Sequence, residues 1–102
     1  MKVIIYGANE MAAAVAGELF ENYDVVVIDP DSKKLESLSR LDIATMCADA
    51  ISIKILKDAE VDKATAFIAL SNNDEQNIIA CLMARQVSDA QTICFVQKKE
   101  SM

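Results

Sequence analysis

The chain has no histidine and no tryptophan, one proline, two glycines and three cysteines in 102 residues. Without histidine it lacks the side chain that most often moves protons or binds metals near neutral pH. Cys47, Cys81 and Cys94 are odd in number and widely spaced, which suits neither a disulfide framework nor a Cys-x-x-Cys metal site. They read as small core residues in a reducing compartment, since a redox-active thiol needs exposure and a neighbouring positive charge. Positive charge is itself scarce: 10 Lys and Arg stand against 16 Asp and Glu, a net charge of −6. That balance argues against nucleic acid and against anionic lipid, both of which recruit Lys and Arg. No apolar run reaches the length of a membrane span, so no membrane insertion is expected. Met1-Lys2 leads straight into a strand-like run with no signal-peptide core, and a cytoplasmic location is expected.

What is present is apolar and regularly spaced. A hydrophobic content of 53% over this length suits one compact domain. Short apolar runs alternate with helical periodicity, the pattern of parallel βαβ units. Val3 to Tyr6 and Val25 to Ile28 are the first two strands, separated by an amphipathic helix from about Glu10 to Asn22 with Met11, Val15 and Leu19 on one stripe beside Ala12, Ala16 and Phe20. Asp31 caps a second helix that buries Leu35 and Leu38, and Ile43 to Cys47 forms the third strand. Asp49 or Ser52 caps a helix carrying Ile55, Leu56 and Ala59, and Ala64 to Leu70 is the fourth strand. A longer helix from about Asp74 to Val87 carries Ile78, Ile79, Leu82 and Met83, and Thr92 to Val96 is the fifth strand. Right-handed crossovers then predict an α/β fold: a doubly wound, parallel Rossmann-type sheet in the order 3-2-1-4-5, with helices on both faces.

The turn after the first strand carries the chemistry. Gly7-Ala8-Asn9-Glu10-Met11-Ala12 stands where a dinucleotide-binding fold has Gly-x-Gly-x-x-Gly, and Asp29 ends the second strand where an acid holds a ribose hydroxyl. Ala12 nearly meets the need of the third glycine, which is close helix–strand packing. Asn9 replaces the second glycine, where backbone must approach a pyrophosphate. It reads either as a residue that tolerates positive φ beside a ligand or as a plain helix N-cap. Ligands in such sheets bind at the carboxyl ends of the strands, between strands 1 and 4, where Gly7 to Glu10, Asp29 with Pro30, Ala48 to Ala50 and Ser71 to Asn73 converge. Asp29 would accept from a 2′-hydroxyl and repel a 2′-phosphate, so NAD(H) or AMP-type ligands are expected over NADP(H).

Asn73 and Gln76 have capping-box spacing, and Asp74 and Glu75 suit the first turn of a helix. The same stretch, Ser71-Asn72-Asn73-Asp74-Glu75-Gln76-Asn77 followed by Ala80-Cys81 and Ala84, resembles the T-N-x-D-E-x-N signature of TrkA-type N-terminal domains, the RCK (regulator of potassium conductance) modules. Ala48-Asp49-Ala50, then Leu56, Ala59 and Val61-Asp62-Lys63-Ala64, resembles the family's G-D-x-T, L and A-G-I/V-x-x-A stretch. The resemblance spans essentially the whole chain. It implies a single regulatory domain over residues 1–102, lacking the last helix and strand of the usual domain. Such a domain binds NAD(H) or another adenine nucleotide and passes its occupancy to a membrane potassium transporter or channel subunit. It also implies a homodimer or higher homo-oligomer, peripheral to the inner face of the membrane through its transporter partner. Carried over by position, Gly7, Ala8, Asn9, Glu10 and Met11 would face the phosphates, and Asp29 with Pro30 the adenosine ribose. Asp49 and Ala50 would line the adenine, with Ser71 and Asn72 beside the ribose-phosphate. Asn9, Ala12, Ala48 and Ile51 depart from the family pattern, which implies weakened affinity.

No catalytic residue is expected, because the chain offers no plausible Ser or Cys triad, no metal cluster and no second domain to hold a substrate. A response-regulator receiver is excluded because the first strand ends in Tyr6-Gly7 where paired acids are needed. Three functions stay open on the sequence: a nucleotide-sensing regulatory module, a non-binding assembly module of the same family, and a fragment of an NAD-dependent oxidoreductase.

Overall fold

A computed structural model describes residues 1–97. Five parallel strands, β1 (Lys2–Tyr6), β2 (Asp24–Asp29), β3 (Ala44–Cys47), β4 (Ala64–Ala69) and β5 (Gln91–Cys94), form one sheet in the order β3-β2-β1-β4-β5. Four helices connect them: α1 (Glu10–Leu19), α2 (Ser32–Glu36), α3 (Ile53–Asp58) and α4 (Asp74–Val87), with a 3-10 turn at Val61–Lys63 before β4.

Alternation along the strands decides which side chains meet which helices. Val3, Ile5, Val25 and Val27 face α1 and α2, where Ala12, Ala16, Leu35 and Leu38 close the layer. Ile4, Tyr6, Val26, Ile28 and Phe67 face the other way, against Leu56, Ala59, Ala80, Cys81 and Ala84 of the α3–α4 side. Both layers are apolar because a parallel sheet is covered on both faces.

Several local boundaries differ from the sequence expectation. The first helix ends at Leu19, not Asn22, because the amides of Asn22 and Tyr23 both turn back to the Leu19 carbonyl. Met11 is 41% exposed and lies outside the buried stripe, which is carried by Ala12 and Ala16. Ser52, not Asp49, caps α3; Asp49 instead accepts the amide of Ile51 in a local turn. The fifth strand ends at Cys94, ahead of Phe95 and Val96.

The largest difference concerns α4. Its ends match expectation, yet it packs through Asn77, Ala80, Cys81 and Ala84, while Ile78, Ile79 and Leu82 are 43–55% exposed. Small residues let the helix lie close over Phe67 and Ala69, and Asn77 is drawn inward by hydrogen bonds. Those two demands outweigh the aliphatic stripe.

Candidate functional site

Gly7 follows β1 with φ +106, and a Cβ there would stand 2.7 Å from the Ser71 nitrogen and 2.8 Å from its Cα. Glycine is therefore required twice over, by its backbone conformation and by contact with the backbone after β4. The contact joins the two loops on either side of the point where strand order reverses. In open α/β sheets that is where ligands sit.

Asn9 is the N-cap of α1, in extended backbone with φ −90, so no positive φ is involved. Its Oδ1 accepts the Ala12 amide at 2.9 Å, while its Nδ2 donates to the Leu70 carbonyl and to Asn72 Oδ1 at 3.2 Å. The side chain thus runs from the β1–α1 loop to the end of β4, across the place where a pyrophosphate crosses this turn in dinucleotide-binding folds.

Asp29 is 6% exposed, and both its oxygens are engaged. Oδ2 accepts the Ala8 amide at 2.9 Å and Oδ1 accepts the Asp31 amide at 2.8 Å. These two backbone donors fix the carboxylate in place and hold the β1–α1 loop against the end of β2. A carboxylate has about four lone-pair sites, so capacity to accept from a ribose hydroxyl remains.

The T-N-x-D-E-x-N-like stretch resolves into a scaffold. Asn73 caps α4 by accepting the Gln76 amide, but Gln76 does not complete a capping box, because its Oε1 accepts from the Tyr6 hydroxyl at 3.0 Å. Asn77 is fully buried; its Oδ1 accepts from the Ser71 amide and hydroxyl, and its Nδ2 donates to the carbonyls of Ser71 and Phe95. Asp74 accepts the Gln97 amide at 3.0 Å. The first two turns of α4 therefore fix both the loop after β4 and the chain leaving β5.

These contacts shape adjoining hollows. A crevice of about 290 Å³ lies between Asp29, Pro30, Asp31 and Lys34 on one side and Ser71, Asn72, Asn73 and Gln76 on the other, with Tyr6 also in its wall. Burial pushes the Tyr6 phenol up, and the charges of Asp49 and Asp29 push it further, so Tyr6 is a neutral hydrogen-bond donor here. A second cleft of about 560 Å³ is lined by Ala8, Asn9, Glu10 and Ala13 of the first loop and helix, by Lys33, Lys34, Ser37 and Arg40, and by Asn72. Met11 faces a third hollow, with Phe95 and Gln97.

Of the residues singled out from sequence, Ala8, Asn9, Glu10, Asp29, Pro30, Ser71 and Asn72 come together in the first two hollows, and Met11 lies beside them. Gly7 is buried where the two loops meet. Ala50 is completely enclosed in the core with Leu56 and Ala59, so it cannot touch an adenine from this position. Asp49 is exposed near the crevice and acts on it through its charge on Tyr6. Sequence reasoning missed Tyr6, Lys33, Lys34 and Arg40. The signal for Tyr6 was its polar tip at the end of an aliphatic strand, and for the cations their clustering just after Asp29 in an acidic chain.

The sequence profile of the TrkA-N domain matches residues 3–102. The chain belongs to the TrkA-N domain family. Curated relatives of this TrkA-N domain include the Trk system potassium uptake protein TrkA homolog of Archaeoglobus fulgidus, 35% identical over 98% of this chain and 23% of its own length. The Trk system potassium uptake protein TrkA of Vibrio alginolyticus is 28% identical over 95% of this chain and 22% of its own length. The chain thus spans about a quarter of these relatives. Among solved structures, the NAD(P)-binding domain of an exopolyphosphatase-related protein from Archaeoglobus fulgidus superposes with a TM-score of 0.84 at 21% identity, covering 97% of this chain and 75% of that one. A UDP-glucose 4-epimerase from Thermotoga maritima superposes with a TM-score of 0.68 at 19% identity, over 84% of this chain and 33% of its own. These likenesses establish the Rossmann-type fold. No helix among the described residues is long and apolar enough to cross a membrane.

Proposed function

We propose that this TrkA-N domain is a non-enzymatic regulatory module that binds NAD(H) or another adenine nucleotide at the carboxyl end of the sheet and reports its occupancy to a membrane potassium-uptake system. The observation that carries the reading is the Asp29 arrangement: an acid at the end of β2, held by the Ala8 amide, facing a crevice at the point of strand-order reversal. Among the described residues, Gly7, Ala8, Ala12 and Ala13 donate their amides within the protein, which leaves those of Glu10 and Met11 at the start of α1 for phosphate oxygens. Asp29 and Pro30 would hold the ribose, with Ser71 and Asn72 beside the ribose-phosphate. The names of the relatives support the potassium-uptake context, and the NAD(P)-binding neighbour supports the ligand class.

The reading includes a cytoplasmic domain that self-associates and works beside a membrane subunit. The uncovered aliphatic face of α4 is consistent with a protein partner. The crevice offers carboxylates, amides and hydroxyls, a set that grips a ribose and phosphate and includes no base paired with a nucleophile. A thermal-shift titration against NAD(H), NADP(H), ATP, ADP and AMP tests the reading: at least one should raise the melting temperature at millimolar concentration, and silence across the panel would refute it. A non-binding assembly module is the second reading, favoured by the internal use of the Asn9 side chain and the loop amides. Light scattering that shows oligomers without any nucleotide effect would select it.

A further inference from the structure

We infer that Cys81 and Cys94 form a reversible oxidation site, in which a peroxide oxidises the exposed Cys94 thiol and Cys81 closes on it to give a disulfide between α4 and β5. The site does not rest on the nucleotide reading, since neither cysteine lines the three hollows described above.

Three observations carry it. First, the two thiols meet where α4 packs on β5. Cys94 pairs with Ala69 in the parallel ladder, so their side chains point to one face of the sheet, and Ala69 packs with Cys81 in the core beneath α4. The Cys81 thiol donates to the carbonyl of Ile93, the residue joined to Cys94, at 3.7 Å. Cys94 is near enough to act on the Cys81 thiol, which burial first and then Cys94 push up to about 12. Secondly, the exposures differ: Cys94 is open to solvent at the end of an edge strand, whereas Cys81 is buried. Thirdly, Cys81 follows Asn77 by one turn on the buried face of α4, so a bond there ties β5 to the stretch of helix that already holds Ser71 and Phe95. Cys47, exposed on the opposite edge strand with its thiol on the Pro30 carbonyl, has no such neighbour and serves as the internal control.

The unequal exposures set the order of steps. Cys94 reacts with the peroxide to give a sulfenic acid and one water, its sulfur giving up two electrons. The Cys81 sulfur then attacks the Cys94 sulfur; the S–S bond forms, and the Cys81 proton leaves with the hydroxyl as a second water. Cys81 suits only this later role, because its thiolate is scarce near neutral pH and packing shields it from the oxidant, whereas attack on an adjacent sulfur is intramolecular. A dithiol reductant reverses the bond by exchange.

Peroxide treatment of the whole chain near neutral pH, followed by alkylation and peptide mapping, tests the inference. Trypsin cuts after Arg85, between the two cysteines, so the bond appears as a linked pair of peptides that dithiothreitol separates. This should be the main product of the wild type, and Cys47→Ser should form it at about the same rate. Cys81→Ser should instead carry Cys94 on to the sulfinic acid, and Cys94→Ser should leave Cys81 reduced. Equilibration of the wild type against a dithiothreitol redox buffer, with and without concentrated urea, separates the effect of the fold from that of chain proximity. The folded chain should favour the disulfide about tenfold more, or roughly 30 mV in potential. Both wild-type measurements hold whether or not Cys81→Ser folds. Sulfinic acid at Cys94 with Cys81 still free, bonds only between chains, or an equilibrium no more favourable in the folded chain than in urea would overturn the site.

Discussion

Asn77 is the side chain on which the geometry of the crevice depends, and replacing it gives a worked test. Asn77→Leu keeps the approximate volume and removes every polar contact. The Ser71 amide and the carbonyls of Ser71 and Phe95 then lose partners, while the Ser71 hydroxyl can still turn to the Asn73 carbonyl. Each orphaned buried group costs about 1–3 kcal/mol. Because Ser71 is partly exposed, the low end applies, and three groups give about 3 kcal/mol. A domain of this size has about 5–15 kcal/mol in all, so the variant folds but is plainly weakened. With a urea m-value of about 1.5 kcal/mol/M, the midpoint should fall by about 2 M. Asn77→Asp supplies an independent signature. The introduced carboxyl still accepts from Ser71 but points an oxygen at two carbonyls, so its folded-state pKa rises above the unfolded value of about 3.9. Its neutral form is the stabilising one: stability is greatest below the unfolded pKa and is lost as pH rises through the folded pKa. The gap to wild type should therefore narrow between pH 7 and pH 5. A midpoint for Asn77→Leu within 0.5 M of wild type, or a gap for Asn77→Asp that ignores pH, would refute the role assigned to this residue.

Gly7→Ala should cost about 2–4 kcal/mol, combining an unfavourable φ with a Cβ driven into the Ser71 backbone; urea unfolding measures it, and a loss below about 1 kcal/mol would show that the two loops separate freely. Asn9→Gly should tighten dinucleotide binding about tenfold, near 1.4 kcal/mol, by clearing the pyrophosphate path and freeing the Ala12 amide, at a stability cost of about 1 kcal/mol from the lost Leu70 bond. Titration showing unchanged or abolished binding would mean that Asn9 is irrelevant to the ligand or touches it directly. Among the thiols, Cys47 and Cys94 are exposed whereas Cys81 is buried, its pKa pushed up to about 12 by burial and by the neighbouring Cys94. A thiol reagent at pH 8 should find two fast groups and one slow; three fast groups would contradict the packing. Since the neutral Cys81 thiol is the folded form, its contribution is intact below the unfolded pKa of about 8.5 and is lost as pH climbs toward 12, a decline that Cys81→Ala should reduce.

The strands were legible because each is a short apolar run bounded by polar or turn residues, and Asp29 was legible because such a run points to its position. The α4 boundaries were equally plain, since Asn73 caps one end. Its inward face was not, because periodicity weighs side chains by hydrophobicity, whereas the sheet beneath α4 selects for small size and for the four hydrogen bonds of Asn77. Asn9 looked like a flaw in a glycine motif. Only the folded chain brings its Nδ2 within hydrogen-bonding reach of a carbonyl sixty-one positions away. Ala50 failed for a related reason: sequence places it at a strand end, but the chain turns it into the core before α3 begins.

A helix that packs by its alanines keeps its isoleucines in water, and this affects how the domain responds to heat. Ile78, Ile79 and Leu82 are already about half exposed in the folded domain, so unfolding exposes less new apolar surface than their number suggests. The heat-capacity increment of unfolding follows newly exposed apolar area and averages about 12–15 cal/mol/K per residue. For the isolated chain it should fall at or below the lower bound, giving a broad, shallow stability curve. Covering that face would steepen the curve, so calorimetry alone distinguishes the solitary domain from the covered one.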